Sequence, residues 1–120
     1  MCEKDLLVRD LTECYFRILR AHPQYTRMEI CSLISQMPAP RYYRSLSYAQ
    51  KIIRHMAAGK PRASSYHMRD MHKDLYSRWL ALPNKTDENL AQLLASPAPS
   101  FYLSKHRINK LLYRTYGRIY

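Results

Sequence analysis

Two short stretches of the chain hold the residues best suited to chemistry. In residues 45–56, Ser47, Gln50, Lys51 and Arg54 recur at helical spacing opposite an apolar stripe. In residues 104–115, His106, Asn109, Lys110 and Tyr113 do the same, with Lys105, Arg107 and Arg114 beside them. Lysine and arginine suit phosphate oxygens, and a Gln or Asn amide can pair bidentately with adenine in a major groove. Arg41 and Arg44 add cations just ahead of the first stretch. Tyr42-Tyr43 and Phe101-Tyr102 precede the two stretches, where rings can either anchor a core or stack on bases.

Catalytic patterns find no foothold. His22, His55, His67, His72 and His106 include no pair at i, i+4, and no His-Glu-x-x-His or Cys-His cluster occurs. Ser64 and Ser65 lack a nucleophile setting, and two glycines are too few for a phosphate-cradling loop. Cys2, Cys14 and Cys31 are odd in number and form no Cys-x-x-Cys, so reduced thiols in a cytoplasmic protein are expected. The sequence thus predicts no enzyme, no cofactor, no metal and no small-molecule substrate.

The helices that must position these residues follow from a repeat. At an offset of 59, Pro38-Ala39-Pro40 pairs with Pro97-Ala98-Pro99, Tyr42-Tyr43 with Phe101-Tyr102, and Gln50-Lys51 with Asn109-Lys110. Upstream, at an offset of 60, Arg9-Asp10 pairs with Arg69-Asp70, Pro23 with Pro83 and Thr26 with Thr86. Each copy resolves into three helical segments. The first carries Leu7, Leu11, Cys14 and Ile18, with Met68, Met71, Leu75, Trp79 and Leu82 in the second copy. Thr26-x-x-Glu29 opens the next segment with a capping box, before a buried stripe of Ile30, Leu33, Ile34 and Met37. Ser45 and Ser104 are the expected N-caps of the third segments.

The expected fold is therefore all-α: two diverged three-helix units, 4–58 and 64–120, joined by a linker at about 57–65 and packed as one compact domain spanning 1–120. Three helices with a basic third resemble a helix-turn-helix unit. The seven-residue connection from Pro38 to Arg44, with its two prolines, departs from the short turn that motif uses.

Charge gives the repeat a direction. The chain has a net charge of +11, which favours an anionic partner. No acid lies between residues 30 and 69 or after 88, so both third segments are purely basic. No secretory leader and no apolar stretch of membrane-spanning length is present, so a cytoplasmic protein with no membrane partner is expected.

The line Ala39 to Tyr43 and the line Pro97 to Tyr102 resemble a group of small proteins from Bacteroides and related gut bacteria, with similarity over most of the chain. The resemblance implies a bacterial, cytoplasmic setting and carries over no activity. The function expected from the residues is non-catalytic binding of nucleic acid, DNA above RNA, through Arg41, Arg44, Gln50, Lys51, Arg54, Lys105, Arg107, Asn109, Lys110 and Arg114. The alternative is a small protein-interaction or adaptor module of a phage or mobile element, with an acidic protein as partner.

Overall fold

The computed structural model describes residues 3–60 and 66–116, and within them the chain forms six helices and no strand. These are α1 (Glu3–Ala21), α2 (Arg27–Ser35), α3 (Leu46–Ala57), α4 (Tyr66–Leu80), α5 (Asp87–Leu94) and α6 (Lys105–Tyr116). Four of them start on a hydroxyl. Thr26 Oγ1 accepts from the Glu29 amide while Glu29 answers on the Thr26 amide, completing the capping box. Thr86, Ser45 and Ser104 likewise accept from the amides of Asn89, Tyr48 and Arg107. Each such cap contributes about 1 kcal/mol relative to alanine.

α3 ends on Gly59, which adopts φ +69°. The Gly59 amide donates to Met56 O and the Lys60 amide to His55 O, the paired bonds that close a helix on a left-handed glycine. α2 and α5 instead run into Pro-Ala-Pro. In each tripeptide the alanine amide is the sole backbone donor, and both alanines are buried, so each donor must find an acceptor inside the protein. They find each other: Ala39 N donates to Ala98 O at 2.9 Å and Ala98 N to Ala39 O at 2.8 Å. Tyr43 and Tyr102 follow at φ 58°, left-handed backbone that costs a non-glycine residue about 1–2 kcal/mol.

The helices pack as two compact units. One comprises residues 1–40 and 98–120, the other residues 41–97. In the first, α1, α2 and α6 each pack on the other two; in the second, α3, α4 and α5 do so. The spatial boundaries therefore differ from the sequence boundaries 4–58 and 64–120. The third helix that covers α1 and α2 is α6, and the one that covers α4 and α5 is α3. The prolines explain the crossing, because two of them in three residues hold the chain extended and prevent the tight turn that would fold a third helix straight back. α2 and α3, which a helix-turn-helix would join, belong to different units.

The discontinuous unit is built on Leu11, Ile30, Ile34, Ile108 and Leu112, each at most 1% exposed, together with Cys14, Tyr15, Cys31 and Phe101. The contiguous unit is built on Met71 and Leu75 with Ala49, Ile52, Ile53, Leu90, Leu94 and Tyr42. A buried side chain of this size contributes roughly 1.5–3 kcal/mol. Leu33, expected in the buried stripe of α2, is 42% exposed. α2 spans only nine residues, and its core face is filled by Ile30, Cys31 and Ile34, which leaves Leu33 turned outward. Met37 lies beyond the end of α2 and is half-buried.

Candidate nucleic-acid interface

Capping and burial fix how α3 and α6 present their polar faces. On α3, Ala49, Ile52 and Ile53 turn inward and hold Lys51 and Arg54 exposed. On α6, Ile108, Leu111 and Leu112 turn inward and hold Lys105, Arg107 and Lys110 exposed. Arg114 lies on α6, but its side chain falls outside the described residues, as do residues 61–65 of the linker.

The other expected site residues are engaged within their own units. Gln50 Nε2 donates to Asp87 Oδ1 at 2.9 Å, which occupies one of its two N–H groups. Asn109 is half-buried; its backbone carbonyl accepts from Arg27 Nη2 at 3.1 Å, and its Oδ1 is buried without a hydrogen-bond partner. Gln50 is thus tied to α5 through its side chain, and Asn109 to α2 through its backbone. Arg41 is half-buried. Arg44 is also half-buried, with its guanidinium 4.8 Å from the Tyr48 ring centre and Nη2 3.3 Å from Met68 Sδ.

The two faces also differ in what stands beside them. Arg27 and Asp87 occupy equivalent places, each the first residue of its helix and each reaching the polar residue in the middle of a third helix. One supplies a cation and the other an anion. Arg27 lies 5.7 Å from the Tyr113 ring centre, so guanidinium and ring together flank Asn109 on α6. α3, read as purely basic in sequence, has a carboxylate on its Gln50. The charged group bonded to α6 at this place is thus a cation, and the one bonded to α3 an anion.

Arg27, Asp87 and Tyr48 are the participants that sequence reasoning missed. Arg27 carried a signal. A cation at the first position of a helix opposes the helix dipole, and such a misfit points to a tertiary partner. Asp87 carried none, since an acid there is what the dipole favours anyway.

No protein-family model, curated protein or solved structure matches this chain.

Behind α3, the contiguous unit holds a polar layer. Tyr48 Oη lies 3.3 Å from His72 Nε2, and His72 is 7% exposed. Burial, reinforced by the nearby Arg44 charge, pushes the His72 imidazole below its ordinary value, which favours the neutral ring. Tyr42 Oη donates to Asp74, and Arg78 Nε pairs with the same carboxyl at 3.6 Å. Among the described residues no group of three or more His, Cys, Asp or Glu could hold a metal ion, and no helix is long and apolar enough to cross a membrane.

The paired aromatics divide their roles. Tyr42 and Phe101 are buried anchors, while Tyr43 and Tyr102 occupy the left-handed position and are half-buried.

Proposed function

We propose that the protein binds nucleic acid without catalysis, with DNA the favoured ligand, and that it grips the phosphate backbone chiefly through α6. The observation that carries this reading is the charge difference between the third helices. Lys105, Arg107 and Lys110 are exposed on α6 with Arg27 of α2 bonded to that helix, whereas α3, which bears Lys51 and Arg54, has the Asp87 carboxylate of α5 bonded to its Gln50. Exposed cations suit phosphate oxygens, and Gln50 and the Asn109 backbone are held within their units, so affinity is expected to depend strongly on salt and weakly on sequence. Gln50 and Asn109 serve in this reading as braces for the helices that carry the cations. The setting proposed is a bacterial cytoplasm. The repeat is read as an internal duplication: hydroxyl caps, Pro-Ala-Pro segments and left-handed tyrosines recur at matching positions.

The test is a salt titration with short duplexes of unrelated sequence. Replacing Lys105, Arg107 and Lys110 together by Ala is expected to lower the slope of log affinity against log salt by about 3. Replacing Lys51 and Arg54 is expected to lower it by at most about 2. Absence of binding to duplexes and single strands at low ionic strength overturns the proposal.

A second reading, an interaction module for an acidic protein, draws support from Leu33 and Tyr113. Both are exposed apolar side chains in the unit that bears α6, and interfaces favour aromatic groups among arginines. Retention of a defined acidic protein, with no retention on heparin, distinguishes it.

A further inference from the structure

We infer that residues 3–60 and 66–116 are complementary partners, able to complete both units without a covalent link and able to do so with a second copy of this chain. The inference rests on where each third helix finds its core. α3 belongs to the first segment by sequence, yet its inward residues Ala49, Ile52 and Ile53 are covered by α4 and α5 of the second. α6 belongs to the second segment, yet Ile108, Leu111 and Leu112 are covered by α1 and α2 of the first.

Polar contacts follow the same exchange. Gln50 of the first segment bonds Asp87 of the second, Tyr42 bonds Asp74, and the Tyr42 amide donates to Leu94 O. Asn109 of the second accepts from Arg27 of the first, and Ala39 and Ala98 bond each other reciprocally. A segment by itself would leave the apolar face of its third helix, and the pair of helices awaiting one, without cover. The occupant that fits the α1–α2 surface is therefore a third helix of this protein's own second segment, from the same chain or from another.

Covalent joining places the segments at an effective concentration on the order of millimolar, which favours assembly within one chain. Gly59 is the device we assign to it, since its left-handed conformation ends α3 ahead of the linker to α4. Removing that turn leaves exchange between two chains as the way to satisfy the same contacts.

The decisive experiment inserts a specific protease site between Arg62 and Ala63 of the full chain and cuts the folded protein. The inference expects both fragments to elute together at the volume of the uncut chain and to retain its helical circular dichroism. It also expects a thermal midpoint that rises with protein concentration after cutting and not before. Fragments that separate, or a midpoint independent of concentration after cutting, overturn it.

A second measurement addresses exchange between copies. Cut protein carrying a tag on its first segment is mixed with untagged cut protein, unfolded and refolded. Recovery of untagged second segments on the tag supports pairing in trans, and recovery of the tagged protein's own second segment alone overturns it, provided the two second segments differ in mass. A chain with Gly59→Ala and residues 60–65 deleted is expected to form a helical dimer. A folded monomer, or a chain that no longer folds, counts against the exchange.

Discussion

The contiguous unit, residues 41–97, and the discontinuous unit, residues 1–40 with 98–120, solve one packing problem with different chemistry. Each seats a third helix on a pair of helices, and each begins that seat with a buried aromatic, Tyr42 in one and Phe101 in the other. Tyr42 brings a hydroxyl and finds the Asp74 carboxylate. Phe101 brings none, and the position equivalent to Asp74 is Cys14, a thiol 3.9 Å from Met37 Sδ. The hydroxyl and the carboxylate are present together or absent together. This pairing of changes keeps the hydrogen bond whole where it occurs, because a Tyr42 without Asp74 would lose its acceptor and an Asp74 without Tyr42 would keep only Arg78. The lesson is that the backbone plan is shared while polarity varies in matched sets.

The largest expected effect tests whether the units depend on one another equally. Leu75→Ala in the contiguous unit and Leu112→Ala in the discontinuous one should each cost about 2–5 kcal/mol. Their consequences should differ. A folded contiguous unit holds its own ends together, since the Tyr42 amide bonds Leu94 O at 3.0 Å. Unfolding it turns residues 41–97 into a long loop that α6 must close, at an entropic cost. Hydrogen exchange should therefore show Leu75→Ala weakening protection in all six helices, and Leu112→Ala weakening α1, α2 and α6 only. Loss of protection in α3 to α5 on Leu112→Ala would break the comparison.

A smaller effect sharpens the matched pair. Tyr42→Phe alone should destabilise the contiguous unit by about 1–3 kcal/mol, because it strips Asp74 of a donor. The double change Tyr42→Phe with Asp74→Cys installs the other unit's combination and should recover most of that loss in urea unfolding. If the double change costs as much as the two single changes summed, the two positions are not coupled.

pH separates the units more gently. His72 is held below its ordinary value of 6.5 by burial and by Arg44. The unfolded chain therefore takes up that proton first as pH falls, and the contiguous unit loses stability from about pH 6.5 downward until the folded value is passed. The discontinuous unit has the opposite sensitivity. Burial raises Cys14 and Cys31 above 9.0, against an opposing pull from Arg17 and Arg27 respectively, and it raises Tyr15 above 10.0. Those protons leave the unfolded chain first, so stability falls as pH rises through 9.0. Urea midpoints followed across pH should show an acid limb that His72→Gln removes and an alkaline limb that it leaves in place.

Local signals made much of this legible in the sequence. Capping hydroxyls, prolines and the i, i+3, i+4 stripes placed all six helices, because each is encoded within a few residues. The exposed cations of α3 and α6 were legible for the same reason. Two things were not. Which third helix covers which pair depends on surfaces that are apolar in both copies, and spacing along the chain says nothing about a choice between two similar partners. The engagement of Gln50 and Asn109 was hidden because Asp87 and Arg27 lie far from them in sequence and sit at ordinary helix starts.

The discontinuity also sets an order of events during synthesis. Chains emerge from the N-terminus, so α1 and α2 are made early and then wait, with Leu11, Ile30 and Ile34 uncovered, through the making of residues 41–97. The contiguous unit can close in the meantime, since everything it needs lies in one stretch. α6 arrives last and completes the core that has waited longest. It also carries Lys105, Arg107 and Lys110, so these cations are displayed on a finished unit only after residues 41–97 have been translated.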